Sequence, residues 1–206
     1  MSKPKLEHDP FNLIITGVGG QGNVLASRLV GDILSRQGLE VTIGETFGAS
    51  QRGGSVMSHL RAATGGGLSP QIPKGQARMV VSLEPTEAIR VLRDYGNPEV
   101  QVITSLRPVQ SLGVICGEQT YPGQEEIKSW IRELSARAWF LDPTREAIKL
   151  GNPILANVIL VGALAGTGAL PLDRAGLEAV LAQRMGAGKV AANLKAYDLG
   201  LMAIKA

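Results

Sequence analysis

The stretch Phe11-Asn12-Leu13-Ile14-Ile15-Thr16, followed at once by Gly17-Val18-Gly19-Gly20-Gln21-Gly22, decides how this chain is read. The first part is an apolar run suited to a buried strand, and Asn23 to Gln37 continues with a helix-like pattern that Gly38 ends. A strand, a glycine turn and a helix start make an anion cradle. Glycines at these spacings let the backbone turn tightly and come close to a phosphate, while free amides at the helix start point toward the charge. Taken alone, the pattern fits a bound nucleotide-like ligand and a tight turn that binds nothing equally well.

Working outward, strands and helices alternate. Glu40 to Glu45 reads as a second strand, and Ser55 to Ala62 as a third, with Val56, Ser58 and Leu60 on one face and Met57, His59 and Arg61 on the other. The turn Gly65-Gly66-Gly67 would let Leu68 to Ile72 pair back as a hairpin arm. Arg78 to Leu83 is a short buried strand, and Pro85 suits the first position of a helix running through Tyr95. Val100 to Thr104, Gly113 to Cys116 and Ala138 to Leu141 complete the expected strands. Ile127, Trp130, Ile131 and Leu134 fall on one helical face. Ile154 to Leu170 is too short for a membrane span and reads as a buried helix. The C-terminal third is mostly helical, with an apolar stripe at Val190, Leu194, Tyr197, Leu201 and Ile204.

This order predicts an α/β, Rossmann-like three-layer fold: a mostly parallel sheet, one hairpin excursion and a helical C-terminal third. Residues 1–10 read as a flexible leader and 11–206 as a single domain. Ligands in such sheets bind beyond the carboxyl ends of the strands, and both distinctive loops, Gly17 to Gly22 and Thr46 to Gly54, leave strands there. If those strands are neighbours, the loops meet.

In the second loop, Arg52 offers a planar fork of donors for phosphate or carboxylate. Ser50 and Gln51 offer adaptable hydrogen bonds, and Gly53-Gly54 permits close approach by another backbone. A mobile loop with a solvated arginine is the plainer alternative. Glu45 falls where a dinucleotide-binding protein holds a ribose hydroxyl, but no second domain follows to carry a substrate.

Composition excludes several classes. The chain has 206 residues, 44% apolar and 19% charged, which suits an ordinary globular domain. The net charge of +3 is scattered, so nucleic-acid binding is not expected. A single cysteine, Cys116, rules out disulfides or a thiolate cluster within this chain, and reads as a small core residue. A cytoplasmic location is the default, with no membrane segment. His59 has no metal-ligand spacing around it, and Ser50 and Ser55 have no evident His partner, so no catalytic residue is assigned and no metal site is expected. Trp130 and Trp139 read as core or interface anchors.

Four motifs together, Gly17-Val18-Gly19-Gly20-Gln21-Gly22, Ser50-Gln51-Arg52-Gly53-Gly54-Ser55-Val56, Leu83-Glu84-Pro85, and Gly151-Asn152-Pro153 with Ala156-Asn157-Val158, resemble the gamma-type domain of 2-oxoacid:ferredoxin oxidoreductases. The resemblance runs from about Phe11 to Ala203. Val18 and Gly54-Ser55 replace the arginine and alanine-proline usual in pyruvate-type chains, which favours the beta-subunit type of indolepyruvate ferredoxin oxidoreductase.

The resemblance implies a small oxidoreductase subunit, inactive by itself, in a complex that oxidatively decarboxylates indolepyruvate or another aryl 2-oxoacid to its acyl-CoA. It implies a large catalytic subunit carrying thiamine diphosphate, Mg and 4Fe-4S iron-sulfur clusters, coenzyme A as cosubstrate and ferredoxin as acceptor. No cofactor is expected on this chain alone, and the isolated chain could pair as a homodimer. Carried over by residue, Gly17, Gly19, Gly20, Gln21 and Gly22 would form a surface near the cofactor or coenzyme A path. Ser50, Gln51, Arg52 and Gly53 would line the same region or lock the subunit interface, and Asn157 would brace it. A free-standing nucleotide-binding or regulatory module using the same glycine loop is the alternative.

Overall fold

In β1 (Phe11–Val18) every residue is buried, as a strand covered on both faces requires. Alternation sends Leu13 and Ile15 into one apolar cluster and Ile14 into another. The computed structural model describes residues 4–48 and 54–205. Within them the chain continues through α1 (Asn23–Arg36), β2 (Glu40–Phe47), β3 (Ser55–Ala63), β4 (Met79–Ser82), α2 (Pro85–Tyr95) and β5 (Gln101–Ser105). Then follow α3 (Leu112–Ile115), α4 (Gln124–Glu133), β6 (Arg137–Leu141), α5 (Pro143–Lys149), a 3-10 turn at Pro153–Leu155, α6 (Ala156–Gly166), α7 (Arg174–Arg184) and α8 (Ala187–Lys205).

The strands form one six-stranded sheet in the order β2-β3-β1-β4-β5-β6. The β1–β4, β4–β5 and β5–β6 pairs are parallel, whereas β3 runs antiparallel between β1 and β2. The larger cluster joins one sheet face to α1 and α5 to α8, and the smaller joins the other face to α2 and α4. This is the expected three-layer arrangement. The stretch read as a leader sends Leu6 into the larger cluster, and Asp9 accepts hydrogen bonds from Thr64.

Local chemistry sets the helix ends. Glu84, Asp142 and Asp173 accept hydrogen bonds from Glu87 N, Arg145 N and Gly176 N, capping α2, α5 and α7, and Pro85 and Pro143 start their helices. Gly38, at φ +86°, closes α1. α8 lies directly on α6: a Cβ at Gly200 would stand 1.8 Å from the Ile159 carbonyl oxygen, and one at Gly162 2.0 Å from that of Tyr197. Of the expected C-terminal stripe, Leu194 and Tyr197 are buried and Val190, Leu201 and Ile204 pack partly against the core.

Four expectations need correction. Gly113 to Cys116 is not a strand: Leu112–Ile115 is a single helical turn that the left-handed Gly117, at φ +77°, terminates. A four-residue apolar run does not distinguish strand from helix, and here it is not buried. Cys116 is accordingly exposed rather than a core residue. Leu68 to Ile72 forms no hairpin arm; Pro70 interrupts it and Pro73 follows it, and the hairpin of the sheet is β2–β3. Glu45 does not occupy the ribose-binding position, because β3 separates β2 from β1, and it pairs with Arg28 at 3.6 Å.

Candidate functional site at the carboxyl edge of the sheet

The glycine turn between β1 and α1 is held by side-chain amides. The Val18 amide donates to Gln21 Oε1 at 2.8 Å, and Gln21 Nε2 donates to the Leu83 carbonyl at 2.9 Å, tying the end of β1 to the end of β4. Asn23 Nδ2 donates to the Val18 carbonyl at 3.2 Å. These amides occupy the space beside Gly17, where a Cβ would lie 2.6 Å from Gln21 Oε1. Gly20 and Gly22 are left-handed, at φ +97° and +86°. Asn157, buried on α6, donates from Nδ2 to the Gly22 carbonyl at 3.4 Å.

Gly17, Gly19, Gly20, Gln21, Gly22 and Asn157 thus share one constellation. Ser50, Gln51, Arg52 and Gly53 lie outside the described residues. The two loops meet although β1 and β2 are not neighbours: β3 returns between them, and Gly19 N donates to the Gly54 carbonyl at 2.9 Å.

A cleft of about 220 Å³ opens on the turn. Gly20 and Gln21 line one side, and Ser105, Arg107, Thr144 and Asn152, from the ends of β5, β6 and α5, line the other. The α1 N-terminus has no side-chain cap and no acid in its first turn, so its positive end is uncompensated by its own sequence. With the Arg107 guanidinium and two hydroxyls, the cleft offers donors to an anion such as a phosphate. A broader, mainly apolar trough adjoins it through Arg107 and Thr144, rimmed by Arg145 and Lys149.

A second cleft, of about 280 Å³, lies between Val18, Ser55 and the start of α2 on one side and residues 109–122 on the other. Its floor holds two buried carboxylates. Glu84 accepts from Glu87 N at 2.9 Å, Thr86 Oγ1 at 2.6 Å, Val109 N at 3.4 Å and the Tyr121 hydroxyl. Glu87 accepts from Ser55 Oγ at 2.6 Å and pairs with Arg90 at 3.3 Å. Burial, and then the Glu84 carboxylate, push the Tyr121 phenol well above its ordinary pKa.

Sequence reading singled out neither Arg107 nor Tyr121, nor the role of Glu84. For Glu84 the signal was present in Leu83-Glu84-Pro85, an acid before a proline at the end of an apolar run. Arg107 carries no local pattern, and only the sheet topology brings it opposite Gly20. His59 is buried on the opposite face from α1; its Nδ1 accepts from Ile72 N at 3.4 Å, its Nε2 has no partner among the described residues, and burial lowers its pKa. It lies edge-on to Tyr95, at 5.1 Å between ring centres.

Among the described residues no cluster of His, Cys, Asp or Glu could hold a metal ion, and no helix is long and apolar enough to cross a membrane.

A doubly covered sheet with a glycine turn and clefts at its carboxyl edge is the architecture of a ligand-handling α/β domain. The chain belongs to the pyruvate ferredoxin/flavodoxin oxidoreductase family, whose sequence profile matches residues 12–203. It is 37% identical over 196 residues to the indolepyruvate oxidoreductase subunit IorB of Pyrococcus horikoshii, covering 95% of this chain and 96% of that one. The gamma subunit of a keto/oxoacid ferredoxin oxidoreductase from Geobacter sulfurreducens shares the fold, with a TM-score of 0.66 at 18% identity over 95% of this chain and 98% of that one. So does 2-oxoglutarate:ferredoxin oxidoreductase from Magnetococcus marinus, solved with 2-oxoglutarate, coenzyme A and succinyl-CoA bound, with a TM-score of 0.74 at 19% identity. That match covers 97% of this chain but 32% of the longer one.

Proposed function

We propose that this chain is the small subunit of a cytoplasmic 2-oxoacid:ferredoxin oxidoreductase that converts indolepyruvate or another aryl 2-oxoacid to its acyl-CoA. The observation that carries the reading is the near full-length likeness to an indolepyruvate oxidoreductase subunit, 37% identical across 95% of this chain. In this reading the catalytic centre lies on a partner, and among the described residues no cluster of His, Cys, Asp or Glu could hold a metal ion. One cysteine cannot hold an iron-sulfur cluster by itself, so the clusters fall to a larger partner subunit, which in this reading also carries thiamine diphosphate and Mg, and the isolated chain is inactive. The chemistry these groups supply, stabilising the carbanion left by decarboxylation and passing its electrons singly to ferredoxin, lies on that partner.

What this chain contributes is a surface. The cleft of Gly20, Gln21, Ser105, Arg107, Thr144 and Asn152 suits the phosphate groups of coenzyme A, with Arg107 as the charged donor. The same edge carries exposed apolar side chains, Phe47, Leu112, Ile115, Ile148 and Ile154, so it also suits contact with the large subunit.

Arg107→Ala, made in the purified complex, separates these contributions. Removing one charge-assisted donor should raise the KM for coenzyme A about tenfold or more, with the complex intact and the KM for the 2-oxoacid little changed. An unchanged KM for coenzyme A in an intact complex would contradict the coenzyme A reading of this cleft.

A further inference from the structure

The chain between β5 and α4 takes an unusual path. From Arg107 to Pro122 no residue is buried, and Leu112 and Ile115 on α3 are 79% and 65% exposed. This excursion therefore gains little from apolar burial, the usual source of order in a loop. It is nonetheless ordered within itself: Val114 N and Ile115 N donate to the Ser111 carbonyl, and Glu118 N and Gln119 N donate to that of Gly113.

Its two ends are fastened at one point. Val109 N, near the start, and the Tyr121 hydroxyl, near the finish, both donate to Oε1 of Glu84. Glu84 is held rigidly in turn, because its Oε2 accepts from Glu87 N and Thr86 Oγ1 at the start of α2, and its backbone lies beside the Ser82 hydroxyl. Thr86 also flanks the Tyr121 phenol. A single buried carboxylate thus gathers both legs of an otherwise solvent-facing loop. Beneath the loop lies the cleft of about 280 Å³ that reaches Val18 and Ser55, next to the glycine turn.

We propose that residues 107–122 are a flap over the carboxyl edge of the sheet, latched by Glu84 through Val109 and Tyr121, which opens as a unit while the sheet stays folded. The legs leave the body next to Pro108 and Pro122, and the exposed Gly123 precedes α4, so a rigid-body swing needs few backbone changes. Opening exposes the cleft beside Val18. The flap's test does not depend on the proposed activity.

Hydrogen exchange on the full-length chain reads the latch directly. The bonded amides of Val109 and of residues 114–119 should exchange more slowly than an unstructured peptide, but faster than those of β4 and β5. Tyr121→Phe, which leaves the α2 cap intact, should speed exchange across 109–121 about tenfold, and that exchange should stay nearly independent of urea, because a local opening exposes little surface. Glu84→Gln should have a larger effect in the same segment. The flap is overturned if 109–121 is already unprotected in the wild type, if Tyr121→Phe does not change its exchange, or if exchange there depends on urea as steeply as in β4 and β5.

Discussion

Asn157 fills the space that a side chain at Gly22 would need: its Nδ2 lies 2.2 Å from where a Cβ would stand, while bonding the Gly22 carbonyl at 3.4 Å. The turn that starts α1 is thereby fixed by a residue from the buried helix α6, 135 positions further along the chain.

Gly22→Ala should therefore be destabilising for two separable reasons. The left-handed φ of +86° costs about 1 kcal/mol for a residue with a Cβ, and the collision with Asn157 adds a comparable amount. Urea unfolding of Gly22→Ala, Asn157→Ala and the double variant separates them. The double variant should lose less than the sum of the single losses, since the collision is gone from it while the backbone strain and the loss of the Asn157 bond remain, whereas strict additivity would mean that the two residues do not compete for space.

Gln21 is engaged inward at both ends of its amide. Gln21→Ala leaves the Val18 amide and the Leu83 carbonyl without these partners, a loss of about 2 kcal/mol. Exchange at the Val18 amide should rise with it, since that amide loses its acceptor. A variant of unchanged stability would show that the β1 to β4 tie carries no energy.

Much of this arrangement was legible from residue order. Glycine spacing located the β1–α1 turn, and Pro85 and Tyr95 bound a helix that the acid Glu84 caps. Topology was less accessible: the β2–β3 hairpin inserts β3 beside β1, and no local pattern tells whether Glu40 to Glu45 is a neighbour of β1. Cys116 illustrates the second limit. Apolar content marked its segment as core, but burial depends on what the chain packs against, and the excursion after β5 packs against little. Asn157 was identifiable as a polar residue in an apolar helix, though its contact with Gly22 is long-range.

The close seam between α6 and α8 leaves no room for added atoms. Gly200→Ala should destabilise by about 3 kcal/mol, because the clash is with the Ile159 backbone and neither helix can yield without moving the other. A shift in the urea midpoint equivalent to less than about 1 kcal/mol would mean that the helices separate easily.

His59 makes stability depend on pH. Burial lowers its pKa in the fold below the ordinary value of 6.5, so the folded protein binds fewer protons than the unfolded chain in that window. The neutral-state contribution is fully present above pH 6.5 and is lost as pH falls through the folded-state pKa, with a slope of at most about 1.4 kcal/mol per pH unit. His59→Phe should flatten the fall in stability between pH 7 and 5 relative to the wild type. Parallel curves for the two proteins would contradict a buried neutral imidazole.

The most direct test of the proposed function is the composition of the assembly that this chain brings down from its own cells. A complex with a larger subunit, containing iron and thiamine and oxidising aryl 2-oxoacids in a coenzyme A-dependent reaction, is the expected result. A lone chain of 21.7 kDa or its homodimer, free of both cofactors and without that activity, would contradict it.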